Sequence, residues 1–479
     1  MTILSQAFPH SNRREKWHLR CVLIVAFVCF LTSTAYSQDA MPSKARRAVR
    51  QATSFFRSIS TNGGYAGIYS LNLEKRFGES FYEKASADEI WVQPPGTPTV
   101  GRVYLEAYRV TGDRYYLQAA RETARALVWG QRKTGGWDHR VSVSHMAENQ
   151  NMPRRKEGRC CLDDNITQGA LSFLMDIDTE IDEAWLTDAV RLGCEYMMQS
   201  QFENGAWPQW YPLIGGYHDY YTFNDNTIND CIRVMLKAHR IYGKAEYLRT
   251  AEAGGKFIID SQLGPPQAGW AQQYNHDLEP AWARGFEPPG VCSAATARNI
   301  RTLVKLYLYT GDKKYLSPIP DALDWLQNSH LQSGKWARLY EVGTNKPVYG
   351  DRKDPGKRHY DYEKISARER NSYAWQGRFG VSDAIDYYET VKQMGPEEYQ
   401  KRQGQQLSQR QRDRRAERLE PQVERIVNNL DDKGRWVSEG EKPNEKVIRS
   451  KVFVRNVRTL CDYLEVVAEP SSGKEKAGN

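Results

Sequence analysis

The run Leu248-Arg249-Thr250-Ala251-Glu252-Ala253-Gly254-Gly255-Lys256-Phe257-Ile258, followed by a turn at Gly269-Trp270, decides the fold of this chain. Its positions Leu248, Ala251, Gly255 and Ile258 fall at i, i+3, i+7 and i+10, which is one face of a helix. The same register recurs at Ala45, Ala48, Ala52, Phe55; at Leu117, Ala120, Ala124, Leu127; at Leu186, Ala189, Gly193, Tyr196; and at Leu316, Ile319, Leu323, Leu326. Related turns stand at Gly64-Tyr65, Gly136-Trp137, Ala206-Trp207, Lys335-Trp336 and Arg435-Trp436. Roughly 65 to 70 residues separate successive turns, enough for two helices and their loops. A helix with one apolar stripe must bury it against a neighbour, so the spacing predicts an all-α chain, a toroid of repeated helical hairpins with the aromatic turns at one end of a cleft. For most of the turns the better reading is that the Trp merely caps the core.

The interval from Trp336 to Trp436 is longer than the others and is expected to hold an insertion, placed at the charged stretch 395–421. There Lys401, Arg402 and the Arg410 to Arg418 cluster alternate with Gln and Glu, the pattern of a solvated helix or linker. The chain has 479 residues, of which 40% are hydrophobic, long enough for one large core. Before the repeats, Arg13, Arg14, Lys16 and Arg20 precede the apolar run Cys21 to Leu31 and the small-residue end Thr32 to Ser37. That is the form of a cleavable export signal over 1–37, too short to span a bilayer, and it predicts a secreted or periplasmic protein with no membrane attachment after cleavage. The catalytic toroid is then expected over 38–467, with a polar tail at 468–479.

Without Cys21 and Cys29 the cysteines are Cys160, Cys161, Cys194, Cys231, Cys292 and Cys461. In so large a helical domain they form no disulfide framework, and no C-x-x-C or H-x-x-x-H spacing offers a zinc site. The net charge of +8 points to a polyanionic partner. Export makes nucleic acid a poor partner and an acidic polysaccharide a good one.

Three segments are too unusual for scaffold. Leu162-Asp163-Asp164-Asn165-Ile166-Thr167-Gln168 and Thr222-Phe223-Asn224-Asp225-Asn226-Thr227 each bring Asp and Asn to a helix start, one repeat apart and so facing each other. In isolation such residues cap helices. Together they offer the oxygen ligands that suit a hard cation such as Ca²⁺, in an open site without the twelve-residue loop of a dedicated binder. The third segment sets arginines among aromatics, Pro and Gly: Pro280-Ala281-Trp282-Ala283-Arg284-Gly285-Phe286-Glu287-Pro288-Pro289, with Tyr349-Gly350-Asp351-Arg352 and Arg368-Glu369-Arg370-Asn371. Planar guanidinium forks suit carboxylates, and neighbouring rings stack on sugar faces.

These motifs, with Trp207-Pro208-Gln209 through Tyr217, Gly269-Trp270-Ala271-Gln272-Gln273 and Phe453-Val454-Arg455-Asn456, resemble the pectate lyases of polysaccharide lyase family 10, α/α toroids. The likeness runs over about residues 45 to 467. It implies a monomeric lyase that cleaves polygalacturonate by anti-β-elimination. Asp164, Asn165 and Asp225 would hold Ca²⁺ and the substrate carboxylate, with Asp163 the alternative to Asp164. Arg284 would be the catalytic base, Arg352 and Arg370 the substrate-binding arginines, with Trp207, Tyr217 and Asp164 also binding substrate. Desolvation, Ca²⁺ and nearby arginines would favour a neutral fraction of Arg284 and an alkaline optimum. One departure stands out: where relatives carry Glu-Ser after the Glu-Pro-Pro run, this chain has Ala295-Thr296. Two other readings of the residues are a toroidal glycoside hydrolase working with Asp163 or Asp164 and Asp225, and a non-catalytic binder of acidic glycan.

Overall fold

The structure is a computed structural model that describes residues 40–146 and 155–468. The expected signal at 1–37 and the tail beyond residue 468 lie outside the described residues.

Twelve helices of ten residues or more alternate along the described chain: α1 Met41–Ser58, α2 Thr97–Thr111, α3 Arg114–Gly130, α4 Ile166–Asp178, α5 Ala184–Gln199, α6 Thr227–Tyr242, α7 Ala245–Asp260, α8 Ser293–Thr310, α9 Ile319–Asn328, α10 Val381–Gly404, α11 Gln409–Asn428 and α12 Ser450–Val467. The even-numbered helices form an inner ring in which α2 packs on α4, α4 on α6, α6 on α8 and α8 on α10, and α12 returns to α2. The odd-numbered helices back them from outside, and α12 also meets α1 and α11 to close the circle. This is the α/α toroid of six hairpins that the register predicts. In α7 the predicted stripe is the buried one, Ala251, Gly255 and Ile258 joined by Tyr247, Gly254 and Phe257. Gly255 is required by close approach, since a Cβ there would lie 2.6 Å from Leu306 Cδ1.

The aromatic turns serve the core. Trp137, Trp207, Trp270, Trp336 and Trp436 are all buried. Their indole N–H groups donate to the carbonyls of Leu127, Met197, Ile258, Leu326 and Ile426 at 2.8, 2.9, 2.6, 2.8 and 2.8 Å. Each carbonyl lies in the last turn of the outer-ring helix just completed, where it has no partner within the helix. The Thr97, Thr167 and Thr296 hydroxyls then accept the backbone N–H of Tyr65, Trp137 and Trp270 at 2.9, 3.1 and 3.1 Å. Thr296, half of the Ala295-Thr296 departure, is thus part of the repeat. The reading of these Trp side chains as core caps is borne out and the cleft-lining alternative is not: a donor already bonded inside the core cannot meet a sugar.

Short antiparallel strand pairs join the loops at the end of the ring where α4, α6 and α8 begin. Cys160–Cys161 pairs with Trp210–Tyr211, Tyr221–Thr222 with Gln273–Tyr274, and Val291–Cys292 with Leu339–Tyr340. The longer last interval is also corrected. The charged run is not an insertion there: after a kink at Gly395 it continues as α10, and residues 409–421 belong to α11, which buries Val423 and Ile426 while Arg410, Arg414 and Arg418 stay in solvent. The extra length is the excursion between Leu339–Tyr340 and α10, with a short helix Ala367–Ser372, and it carries Arg352 and Arg370. The six cysteines are buried and unbridged. Among the described residues no helix is long and apolar enough to cross a membrane.

Candidate functional site

Two nearly superposable turns build the acidic half of the site. Asp164 and Asn165 take φ of 51° and 58°, and Asp225 and Asn226 take 42° and 73°. Left-handed backbone is costly for most residues and tolerated best by Asn and Asp, which explains the repeated pair. Neither Asn165 nor Asn226 caps the helix that it precedes. The Asn165 carbonyl oxygen instead accepts from Arg233 Nη2 at 3.0 Å, Arg233 Nε donates to Asp230 at 3.2 Å, and Asn226 donates to the same carboxylate at 2.7 Å. This brace ties the two turns together and engages the side-chain oxygen of Asn165, the residue expected beside Asp164 as a metal ligand.

The aspartates face each other. One oxygen each from Asp163, Asp164 and Asp225 lies within 4.8 Å of the others, so Asp163 and Asp164 both join the cluster where one was expected. Asn224 donates to Asp225 Oδ2 at 2.7 Å, Gln93 to Asp164 Oδ2 at 3.0 Å, and the Thr227 hydroxyl to Asp163 at 3.3 Å. Burial and the neighbouring carboxylates push Asp163 well above the usual range, and burial, Asp225 and Glu79 raise Asp164 to about 6. Glu79, which also accepts from Gln93 at 3.0 Å, is raised by burial and by Glu83. The Gln93 side-chain oxygen is buried without a partner. A crowd of hard oxygens under mutual repulsion is the donor set a divalent cation relieves, so the residues fit such an ion.

The basic half comes from the loop before α8 and from the excursion. Arg284 Nη2 stands 3.8 Å from Asp225 Oδ2. Its Nε and Nη2 donate to Glu287 at 2.8 and 2.9 Å, and its backbone N–H donates to the same carboxylate at 3.1 Å. Glu287 is 1% exposed and also accepts from the Tyr373 hydroxyl at 2.7 Å and Gln272 at 3.2 Å. Burial works against the Arg284 charge, but the Glu287 partner outweighs it and holds the guanidinium pKa above its ordinary value. Among the protein's own groups, then, the Glu287 pair works against the neutral form that desolvation was expected to favour. Arg284 therefore draws its support from Glu287 and Tyr373, with no residue needed at 295. Arg352 repeats the arrangement: its Nη1 donates to both oxygens of Glu369, 1% exposed, at 2.6 and 2.7 Å. Both guanidiniums lie over the Phe286 ring, Arg284 at 5.4 Å and Arg352 at 3.8 Å.

Other expected residues divide. Tyr217 is half-buried and within reach of the charges of Arg284, Glu287 and Asp163, so it stands beside the aspartate–arginine cluster. Trp207 is fully buried, which corrects its place among the substrate-binding residues. Arg370 Nη1 donates to the carbonyls of Glu363 and Ile365 at 2.6 and 2.8 Å and lies 3.7 Å from the Glu363 carboxylate, with its guanidinium near the Tyr362 ring, so this nitrogen braces the excursion. Sequence reasoning assigned no role to Glu287, Glu369, Tyr373, Glu79 or Gln93. Only Glu287, three residues after Arg284, carried a local signal.

The sequence profile of the pectic acid lyase family matches residues 131–295 and 330–383. No curated protein sequence matches the chain. Among solved structures, a variant of the family 10 polysaccharide lyase from Cellvibrio cellulosa in complex with trigalacturonic acid is 20% identical over 62% of this chain and 98% of its own, with a TM-score of 0.47. An α-mannanase from Bacteroides thetaiotaomicron is 11% identical over 90% and 96%, with a TM-score of 0.44, and an α-1,6-mannanase from Salegentibacter sp. HEL1_6 is 12% identical over 89% and 100%, with a TM-score of 0.43. The profile covers the aspartate cluster, Arg284 with Glu287 and Arg352 with Glu369. With those residues in one groove, the chain is a polysaccharide lyase similar to the pectic acid lyases.

Proposed function

We propose that the chain is a calcium-dependent pectate lyase that cleaves polygalacturonate by anti-β-elimination and leaves 4,5-unsaturated oligogalacturonides. The observation that carries this is the 3.8 Å approach of Arg284, anchored on buried Glu287, to a cluster of three aspartates. Asp163, Asp164 and Asp225 would hold Ca²⁺, which when bound neutralises the C6 carboxylate of a galacturonate and makes the proton on C5 more acidic. Arg352 pairs with a neighbouring carboxylate and fixes the register of the chain. Tyr217 supports the sugar beside Arg284.

Elimination needs an acceptor for the C5 proton. Arg284 gives Nε and Nη2 to Glu287, which leaves Nη1 as the guanidinium nitrogen that Glu287 does not engage. In the neutral guanidine both bonds to Glu287 persist and the lone pair falls on Nη1, so Glu287 selects the nitrogen that takes the proton while keeping the neutral form scarce. The C5 electron pair closes the C4–C5 double bond, the C4–O bond breaks, and the leaving oxygen takes a proton from water. A hydrolase would want two carboxyl groups about 5–5.5 Å apart or wider, with room for a water in the inverting case. Three carboxylates rather than two converge here, each offering one oxygen to a common point, which is the donor set of a cation more than of an acid–nucleophile pair.

The test is the near-ultraviolet absorbance of unsaturated uronide on polygalacturonate. It should grow with calcium and stop on chelation. Reducing ends released without that absorbance would mean hydrolysis, and binding without either product would mean a glycan-binding protein.

A further inference from the structure

A second cavity adjoins the groove. It encloses about 990 Å³ between the strands Glu89–Trp91 and Arg140–Ser142, the turn after α3 and the loop that leads into Cys160. That size is at the upper end for ligand pockets and admits more than one sugar ring. His139 stands on the wall shared with the site: it lines the cavity, and its charge tempers Asp164. Its ring stacks on Trp210 at 5.5 Å, and Arg159 lies over the same indole at 4.9 Å. The strand pairing of Cys161 with Trp210 sets that indole beside Arg159.

The charges here are unlike those elsewhere. Most of this chain's arginines that touch another element are matched to carboxylates, as Arg57 is to Glu122, Arg121 to Glu183 and Arg458 to Glu106. At the cavity, Arg132, Lys156 and Arg159 have no carboxylate within ion-pair distance among the described residues, and the buried Nε of Arg132 has no partner. The cavity's acids are fewer than its cations: Glu83, Glu89 and Asp138 stand against Lys84, Arg132, Arg140, Lys156 and Arg159, and Glu89 pairs with Arg140 at 3.5 Å while Asp138 senses the charge of Arg132. An excess of cations around a half-buried indole, one of them lying over its ring, suits an anionic sugar whose carboxylate meets a guanidinium.

From this we infer that the cavity is a further subsite for a uronate residue of the substrate chain, beyond the sugars held at the aspartate cluster, with Arg132, Lys156 and Arg159 around its carboxylate and Trp210 at its edge. The inference rests on the lyase reading for its substrate. Its consequence is that the enzyme favours longer oligogalacturonides over the trimer, because only a longer chain spans groove and cavity.

The test compares kcat/KM on hexagalacturonate and trigalacturonate for the wild type and for a Lys156→Gln, Arg159→Gln double variant, both residues being exposed and without a carboxylate partner. The hexamer-to-trimer ratio should fall about fivefold, the scale of losing two solvent-exposed charge contacts. An unchanged ratio, or equal losses on both substrates, would overturn the inference. If no oligomer gives unsaturated product, the lyase reading has failed, and calorimetric binding of hexagalacturonate then decides the cavity separately: about fivefold weaker binding by the variant supports it, and equal binding sinks it.

Discussion

Asp164→Asn should make the metal-free protein more stable and the metal response weaker. Three carboxylates share one spot, and crowding with burial lifts Asp164 from its ordinary 3.8 to about 6. At about 1.4 kcal/mol per pH unit, that rise corresponds to about 3 kcal/mol of destabilisation by the ionised form, a ceiling that solvent screening lowers to about 1–3 kcal/mol. The sign follows from the protons. Below the unfolded value near 3.8 the group is neutral in both states. Between there and about 6 the folded chain keeps a proton that the unfolded chain has lost, so stability falls as pH rises through this window, and the full cost is present above it. Asparagine carries no charge, so the variant should match the wild type near pH 4 and exceed it at pH 8. For a chain of this size about 1 °C accompanies each kcal/mol, which predicts a thermal midpoint about 1–3 °C higher in chelator at pH 8. Calcium should reverse the order, since at a hundred times its dissociation constant a ligand stabilises by about 2.7 kcal/mol. Calorimetry at both pH values, with chelator and with calcium, is the assay. A variant less stable than wild type in chelator at pH 8, or one with the full calcium response, would refute the reasoning that these carboxylates repel and that a cation relieves them.

Glu287→Gln should lower kcat about 100-fold or more, because a buried charged anchor positions Arg284 and its removal leaves the guanidinium misplaced; steady-state kinetics with activity near wild type would remove Glu287 from the mechanism. Since the Glu287 pair holds the Arg284 pKa above its ordinary value, the neutral form increases about tenfold per pH unit without reaching a plateau, so log kcat/KM should climb with a slope near one between about pH 7 and 10, and a flat profile there would contradict a guanidine base. Trp207→Phe should cost about 1 kcal/mol in urea unfolding through the indole bond lost from the Met197 carbonyl, which keeps the Ser200 hydroxyl at 3.3 Å, with kcat/KM unchanged in the folded fraction; a specific rise in KM would restore Trp207 to the substrate site.

The ring was legible because its signal is local and repeated: an apolar register and a turn aromatic recur in nearly every hairpin. What those aromatics do was not. A Trp among Pro, Gly and Tyr reads like a sugar platform, and only the tertiary structure shows its N–H spent on the carbonyl ten or twelve residues earlier. The two Asp-Asn turns were also visible, yet their left-handed backbone aims Asn165 at Arg233 and leaves Asp163 with the cluster, a choice that spacing alone does not make. Glu369 reaches Arg352 across seventeen residues of irregular chain, beyond any periodic signal. The charged run misled for a physical reason as well. An outer-ring helix needs only a narrow apolar stripe, here Val423 and Ile426 with half-buried Ala416 and Leu419, so the rest of α11 can be as polar as a linker.

The central claim is that Arg284 removes a proton beside a uronate held on the aspartate cluster, and the Arg284→Ala variant with saturating calcium tests it most directly. Product absorbance in a single turnover should vanish while calcium still raises the thermal midpoint and oligogalacturonate still binds. Unsaturated product formed at the wild-type rate would contradict the account.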